Sequence, residues 1–503
     1  MVGTVEERGC RDGLASGKKC GWLRCRVAGT FVGEMRMIVK QYYLGCLAHA
    51  SYLIADERSK VAAVVDPQRD VGQYLEEARR LGVEIRHVLL THFHADFVAG
   101  HLELRALTGA RIGLGAKARA EYEFAALKDG DALEFGDTRL SILETPGHTP
   151  EGISIVVHDL AKDARKPHAV LTGDTLFIGD IGRPDLLASV GVTAGELASM
   201  LYESLHGKLL ELPDETLVYP AHGAGSMCGK KLSNERVSTI GEQRRFNYAL
   251  QPMTRDEFVA LVIADQPDAP AYFAYNATLN RKERGTLDTQ LEQALKPLAL
   301  DAALLLANQG AQLVDTRSPA DFAGGHLKGS INIGLEGSFA TWSGSILDPK
   351  RPVIVIAEVG REQEAAVRLG RVGFERVAGH LKGGMGALAD RSELVARSTR
   401  ITVQALAERL AEKHAPLVLD VRTPAEWNNG HIEGALHIPL NRLQQRMAEV
   451  PRDTKLAVIC RSGYRSSIAT SLLHAAGVHD VIDIGGGMDA WGRLQSGGAA
   501  AKA

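Results

Sequence analysis

Short apolar, β-branched runs broken by polar loops recur along the chain, and four of them in the N-terminal half end in residues able to bind a metal. HVLL leads into Thr91-His92-Phe93-His94-Ala95-Asp96, LSILE into Thr145-Pro146-Gly147-His148, AVLT into Gly173-Asp174, and TLVYP into Ala221-His222. Brief apolar runs bounded by Gly, Pro and Thr predict buried strands. Ligands delivered from several strand ends converge at one sheet edge, where loops gather to build sites. One His-x-His among 17 histidines is a weak signal, but four strand-terminal placements together predict a metal site.

Past residue 300 the pattern becomes an internal repeat. LVDTRSPADFAGGHLKGSINI (Leu313–Ile333) recurs as VLDVRTPAEWNNGHIEGALHI (Val418–Ile438) at an offset of 105, aligning Asp315 with Asp420, Arg317 with Arg422 and His326 with His431. VIVIAEVGRE then realigns with LAVICRSGYR at an offset of 103, taking Gly360 to Gly463. Two tandem domains of roughly 100 residues follow from this. Each alternates β-branched runs with helical patterns (AAVRLGRVG, SIATSLLHAAG), which predicts an α/β domain with a parallel sheet.

The copies differ where chemistry would sit. In the second, the strand Leu456–Ile459 runs straight into Cys460-Arg461-Ser462-Gly463-Tyr464-Arg465, and a helix is expected from Ser466. A strand, a tight loop and a helix start place the sulfur in a cup of backbone N–H groups at the positive end of the helix dipole, with Arg461 and Arg465 adding charge. Such surroundings lower a thiol pKa and stabilise an anion attached to it. In the first copy the aligned position is Ala357, followed by Glu358, and the Arg465 slot is Glu362, so that copy is expected to be silent in sulfur chemistry. Asp420, Arg422 and His431 read as fold-stabilising polar contacts.

A length of 503 residues suits about three compact domains. Lys plus Arg (58) nearly balances Asp plus Glu (61), leaving a net charge of −3 and no bulk drive toward nucleic acid or an anionic membrane. No run approaches the 18 or so apolar residues that span a bilayer, and six scattered cysteines do not make a disulfide framework. A soluble protein of a reducing, cytoplasmic compartment is expected, with neither nucleic acid nor membrane as partner. Residues 1–36 carry no apolar signal core and read as a disordered extension or a misassigned start before the strand-like IVKQYYL.

The C-terminal pair resembles the rhodanese family, through the D-x-R…G-H-I-x-G-A block (Asp420 to Ala435), the six-residue loop CRSGYR and the GGGMDAW tail. The resemblance implies thiosulfate-type sulfur transfer through a Cys460 persulfide, with Cys460, Arg461 and Arg465 as the catalytic set. The N-terminal half resembles the metallo-β-lactamase fold, specifically its thiol-ester hydrolase and persulfide dioxygenase branches. The hydrolases carry H-x-H-x-D-H and two metals, whereas this chain reads THFHADF, and Phe97 cannot bind a cation. A two-metal hydroxide mechanism needs both ions, so Phe97 argues against hydrolysis.

Two imidazoles and one carboxylate on one face suit non-haem Fe(II) oxygen chemistry. Persulfide dioxygenases are similar in that choice of ligands and in the stretch GDTLFIGDIGRPD (Gly173–Asp185). The resemblance implies one Fe(II) per chain on His92, His148 and Asp174, with His94, Asp96 and His222 orienting the ligands or the substrate. Arg183 either anchors the carboxylate end of a glutathione-like thiol or forms a structural ion pair with Asp180 or Asp185. Cys228, beside Lys230 and Lys231, is either an activated sulfur acceptor or inert packing, and Cys46 reads as core.

The expected fold is therefore multidomain α/β: an αββα metallo-β-lactamase sandwich (37–255), an extension or linker (256–300), an inactive rhodanese-like domain (301–395) and an active rhodanese domain (398–497). The implied activity oxidises glutathione persulfide with O2 to sulfite, glutathione being the co-substrate, coupled to thiosulfate sulfurtransfer in sulfide detoxification. The implied partners are the small-molecule persulfide, O2 and sulfite or thiosulfate, in a homodimer or homotetramer. A zinc-dependent glutathione thioester hydrolase and a non-enzymatic sulfane-sulfur carrier are the alternatives.

Overall fold

Strands β1 (Met37–Leu44), β2 (His49–Asp56), β3 (Val61–Val65), β4 (Glu84–Leu89), β5 (Arg111–Gly115) and β6 (Ala125–Leu127) form one sheet in sequence order. A second sheet runs β12-β11-β10-β9-β8-β7, from β7 (Ala132–Phe135), β8 (Thr138–Glu144), β9 (Ile153–Asp159), β10 (Ala169–Gly173), β11 (Leu217–Pro220) and β12 (Ser238–Thr239). The computed structural model describes residues 36–186, 191–230, 232–264, 266 and 268–500. Apart from Arg36, the expected N-terminal extension lies outside the described residues. Tyr52, Ile54, Ala63 and Val65 from the first sheet meet Leu140, Ile142, Ile155 and Leu171 from the second in one dry layer. β2 is buried along its whole length, its polar His49, Ser51 and Asp56 included. Helices cover both outer faces, completing an αββα sandwich. One of them, Ala194–His206, starts in a Thr193/Glu196 capping box and packs Ala198, Leu201 and Leu205 on the second sheet.

The two repeats fold alike. In the first, β13 (Pro297–Leu298), β14 (Gln312–Asp315), β16 (Ile331–Asn332), β17 (Val353–Ile356) and β18 (Val377–Leu381) form a parallel sheet in the order β13-β18-β17-β14-β16. The short strands β15 (His326–Leu327) and β19 (Val395–Ala396) pair beside it. In the second, β20 (Thr399–Thr402), β21 (Leu417–Asp420), β22 (Leu436–His437), β23 (Leu456–Ile459) and β24 (Val481–Gly485) repeat that arrangement as β20-β24-β23-β21-β22. The Asp-x-Arg pairs that recur in the two copies are internal braces: Arg422 grips Asp420 at 2.6–3.0 Å and Arg317 grips Asp315 at 2.6–3.2 Å. His431 lies flat on Trp427, centroids 3.6 Å apart. Among the described residues no helix is long and apolar enough to cross a membrane.

The segment between the sandwich and the repeats braces the His-x-His loop. Buried Asn280 donates to the carbonyls of His94 (2.7 Å) and Phe97 (2.8 Å) and accepts from the Ala99 N–H (2.9 Å). Arg284 adds bonds to Glu103 (2.7 Å) and the Ala99 carbonyl (2.6 Å), while Gln293 reaches across to Ala378 (2.9 Å) in the first repeat. Asn280→Ala strands three buried backbone groups, and its expected cost of about 2–4 kcal/mol, with weakened metal retention, is checked by chemical denaturation and metal content.

Candidate functional site

His92 follows β4, His148 follows β8, Asp174 follows β10 and His222 follows β11, so four strand ends deliver their side chains to one edge of the sandwich. Gly173 sits at φ +53°, and a Cβ there would lie 2.7 Å from Thr91 Cβ, so only glycine fits the turn that aims Asp174 inward. Donor atoms of His92, His148 and Asp174 lie within 4.8 Å of one another, all buried. Asp174 Oδ2 has no hydrogen-bond partner among the described residues and faces His92 Nε2 at 3.7 Å and His148 Nε2 at 3.5 Å. A buried carboxylate oxygen is costly unless a donor or cation meets it, so this arrangement fits a metal ion.

The ring tautomers agree. His148 Nδ1 faces the Arg183 carbonyl at 2.9 Å, and so carries the proton and leaves Nε2 for the ion. His92 Nδ1 lies 2.9 Å from Thr91 Oγ1, whose own proton goes to Asp66 Oδ2 at 2.8 Å, giving the same result. Burial lowers the pKa of both rings, keeping them in the neutral form a ligand needs. A cavity of about 10 Å³, floored by Thr91, Thr145, Thr149 and Thr175, abuts the three ligands and has room for one water-sized occupant.

A second buried group comprises Asp96, His222 and Cys228. His222 bridges two carboxylates, Nδ1 to Asp174 Oδ1 (2.8 Å) and Nε2 to Asp96 Oδ2 (2.9 Å). Burial opposes charge on this ring, but Asp174 and Asp96 outweigh it and hold the imidazolium well above its ordinary pKa. His222 thereby fixes the plane of the Asp174 carboxylate. His94 Nε2 lies 3.0 Å from Asp66 Oδ1, and its ring packs 4.4 Å from Phe97. Phe97 in turn lies 4.0 Å from His49, a buried imidazole with neither nitrogen partnered among the described residues. His49 carries no sequence signal, because it opens β2 without any ligand-like spacing.

Cys228 is open to two readings, activated acceptor and inert packing, and its surroundings favour the second. Burial, and then the Asp174 and Asp96 carboxylates, push the Cys228 thiol pKa well above its ordinary value. Lys230 Nζ points away to the carbonyls of Leu261 (3.2 Å) and Ala264, and Lys231 lies outside the described residues. Of the two partners open to Arg183, the bidentate one is Asp185 (2.8 and 2.6 Å); Asp180 accepts from Ile181, Lys230 and Tyr248. A substrate carboxylate would reach the Arg183 fork only by displacing Asp185. Cys46 is half-buried rather than core, 3.9 Å from Arg371 Nη1.

At the second site, β23 delivers buried Cys460 into the loop, and the helix Arg465–Ala475 begins one residue earlier than expected. Gly463, at φ +93°, turns its N–H onto Cys460 Sγ at 3.1 Å. In the first repeat the aligned Gly360 N–H is taken by the Glu362 carboxylate at 2.8 Å, and Ala357 offers no sulfur. Both arginines of the Cys460 loop have carboxylate partners that the sequence did not reveal. Arg461 is exposed against Asp489 (3.3 Å), and Arg465 is gripped by Glu426 through two 2.7 Å bonds. The adjoining pocket holds about 510 Å³ and includes Glu426, Arg461, Met488, Asp489 and Trp491.

Burial raises the Glu426 pKa, but bonds from Arg465 and Thr423 dominate and bring it down to about 2. The pair therefore supports stability fully above the ordinary value of 4.5 and loses that support as pH falls toward 2. If the loop transfers sulfur from thiosulfate, Glu426→Gln would free the Arg465 fork for that anion, and thiosulfate KM is then expected to fall about three- to tenfold in initial-rate assays.

Comparison with known proteins matches residues 44–222 to the metallo-beta-lactamase superfamily and residues 299–390 and 402–494 to the rhodanese-like domain. The mitochondrial persulfide dioxygenase ETHE1 of Bos taurus is 31% identical over 215 residues, 42% of this chain and 75% of that protein. The chain belongs to the metallo-beta-lactamase superfamily and carries two rhodanese-like domains. A hydroxyacylglutathione hydrolase of Polaromonas sp. (strain JS666 / ATCC BAA-500) is 34% identical over 271 residues, 47% of this chain and 97% of that protein. A metallo-beta-lactamase from Staphylococcus aureus subsp. aureus COL superposes with a TM-score of 0.61 at 30% identity, covering 69% of this chain and 99% of that one. This last match extends beyond the sandwich, so the superfamily includes another chain in which the sandwich is one part of a longer protein. Its relatives include both an oxygenase and a hydrolase, which leaves the choice between them to the residues of the site.

Proposed function

We propose that this enzyme works in sulfur metabolism as an Fe(II) persulfide dioxygenase joined to a thiosulfate sulfurtransferase. The observation that supports it most directly is the orphaned Asp174 Oδ2 between two Nε2 atoms, with Phe97 rather than a ligand at the next turn of the loop. His92, His148 and Asp174 would hold the iron, which when bound supplies the oxygen chemistry that two imidazoles and a carboxylate with open positions support. The overall conversion takes a thiol persulfide, O2 and water to the thiol, sulfite and two protons. In that conversion Thr91 and the Arg183 carbonyl keep the two ligand rings in one tautomer, and His222 holds Asp174 in plane. Burial of all three ligand side chains keeps bulk water from the site.

At the second site the Cys460 thiolate attacks the outer sulfur of thiosulfate; the S–S bond breaks and sulfite leaves with its electron pair. The Gly463 N–H stabilises the resulting persulfide; an acceptor thiolate then attacks the outer sulfur of its protonated form, a new S–S bond forms, and the Cys460 thiolate leaves with the electron pair of the S–S bond that breaks. The test is O2 uptake on adding glutathione persulfide, with sulfite as the product.

Zinc-dependent thioester hydrolysis is the second reading. It is favoured by the hydroxyacylglutathione hydrolase relative and by the Asp96, His222 and Cys228 group, a second buried donor set joined to the first through His222 and Asp174. The same assay separates the two, because a hydrolase consumes no O2.

A further inference from the structure

We propose that the silent rhodanese-like copy is a positioning element for the Cys460 loop, a role that rests on the sulfurtransferase reading above. Tyr464 lies inside the loop, between Gly463 and Arg465, yet its hydroxyl donates across the domain boundary to the Gly334 carbonyl at 2.7 Å. Its ring fills the space over Gly337, where an added Cβ would stand 2.6 Å from Tyr464 Cε2. The first turns of the helix that follows are clasped as well. Ser467 Oγ donates to Asn332 Oδ1 at 2.6 Å, and the Asn332 N–H donates to Ser471 Oγ at 3.1 Å. Asn332 is itself anchored within its own domain through Nδ2 to the carbonyls of Asp315 and Arg317.

The repeat shows that this cradle belongs to one copy only. At the offset of 105, Gly334, Gly337 and Asn332 correspond to Pro439, Arg442 and His437 of the active copy, and Tyr464 corresponds to Arg361 at the offset of 103. A proline and an arginine would leave no room for an aromatic ring. The silent copy also turns its own equivalent helix, Glu362–Arg371, toward the preceding domain. There Gly370 accepts from Arg69 (2.8 Å), Arg371 grips Asp70 (2.7 and 2.6 Å), and the Arg371 carbonyl accepts from Val98 (2.7 Å). Each copy thus docks the same helix on its predecessor, but only the second dock reaches into the loop that carries a cysteine. The copy without a thiol still serves sulfur transfer, by holding the backbone that aims the Gly463 N–H at Cys460.

The experiment uses the full chain and two readouts: thiosulfate-to-cyanide transfer with kcat and KM separated, and the rate of Cys460 alkylation by iodoacetamide. Tyr464→Phe removes one oxygen from the loop, and Gly337→Ala disturbs the ring from the silent domain. Each is expected to lower kcat about tenfold, with thiosulfate KM within about twofold, and to change the alkylation rate; misplacement of reacting groups by about an ångström produces effects of this size or larger. The double variant is expected to be no worse than about the more damaged single, since both act through one ring. Ser467→Ala is expected to impair transfer and Ser467→Thr, which keeps the hydroxyl, to retain it. Wild-type kcat and alkylation rates in all of these variants would overturn the proposal. Absence of transfer in the wild-type chain would instead sink the sulfurtransferase reading, and the alkylation rates would still decide whether the silent copy sets the loop.

Discussion

Asp174→Ala is expected to strip the metal from the N-terminal site and abolish persulfide-dependent O2 uptake. The substitution removes the only carboxylate of the three-ligand group and also leaves His222 Nδ1 without the oxygen it now faces at 2.8 Å. Loss of an orienting group alone typically costs 10- to 100-fold in metal affinity or activity, and loss of a ligand together with its orienting contact should exceed about 100-fold. Asp174→Asn, which keeps the shape but not the charge, is expected to fall between the two. Metal content by elemental analysis and O2 consumption by electrode check this. Thiosulfate-to-cyanide transfer should stay within about twofold of wild type, because Cys460 lies in a separate domain.

Cys460→Ser is the complementary case. Thiosulfate transfer needs a nucleophile that can carry sulfane sulfur, and a hydroxyl can do neither step; a loss of at least about a thousandfold is expected, as when an essential nucleophile is removed elsewhere. The fold should be unaffected, since Sγ and Oγ are close in size and the Gly463 N–H keeps an acceptor. O2 uptake from supplied persulfide should remain nearly intact. A large drop in that uptake would show that the two sites are not independent.

The grouping of His92, His148 and Asp174 was legible because each follows a strand: a short apolar run leading within a few residues to His or Asp is a local pattern that survives in one dimension. The repeat was legible for a similar reason, since Asp315 and Asp420, or Gly360 and Gly463, stand in the same local frame. What the sequence hid were contacts between distant segments of ordinary composition. Asn280 reaches the His94 carbonyl across 186 positions, and Arg465 finds Glu426 across 39. Glu426 did carry a signal, the Thr-x-x-Glu of a capping box at Thr423, but that pattern predicts a helix start and says nothing of an arginine. Cys228 shows how far neighbours in sequence can differ from neighbours in space. Its sequence neighbours are cations, but its neighbours in space are Asp96 and Asp174, because the loop turns Lys230 outward.

The copy lacking a thiol makes the same point about function. Its Ala357 and Glu362 read as loss, and in the structure the Gly360 N–H is occupied by the Glu362 carboxylate. Gly334, Gly337 and Asn332 then acquire a meaning that their sequence context lacks, as the surface on which the Cys460 loop and its helix rest.

The central claim is a mononuclear iron oxygenase in the N-terminal domain. Metal analysis of anaerobically purified protein, followed on the same sample by O2 uptake with glutathione persulfide, tests it most directly. About one iron per chain, with O2 consumed in proportion to persulfide and sulfite released, is the expected result for a two-histidine, one-carboxylate site. Zinc near two per chain with no O2 uptake would contradict it and assign the site to hydrolysis.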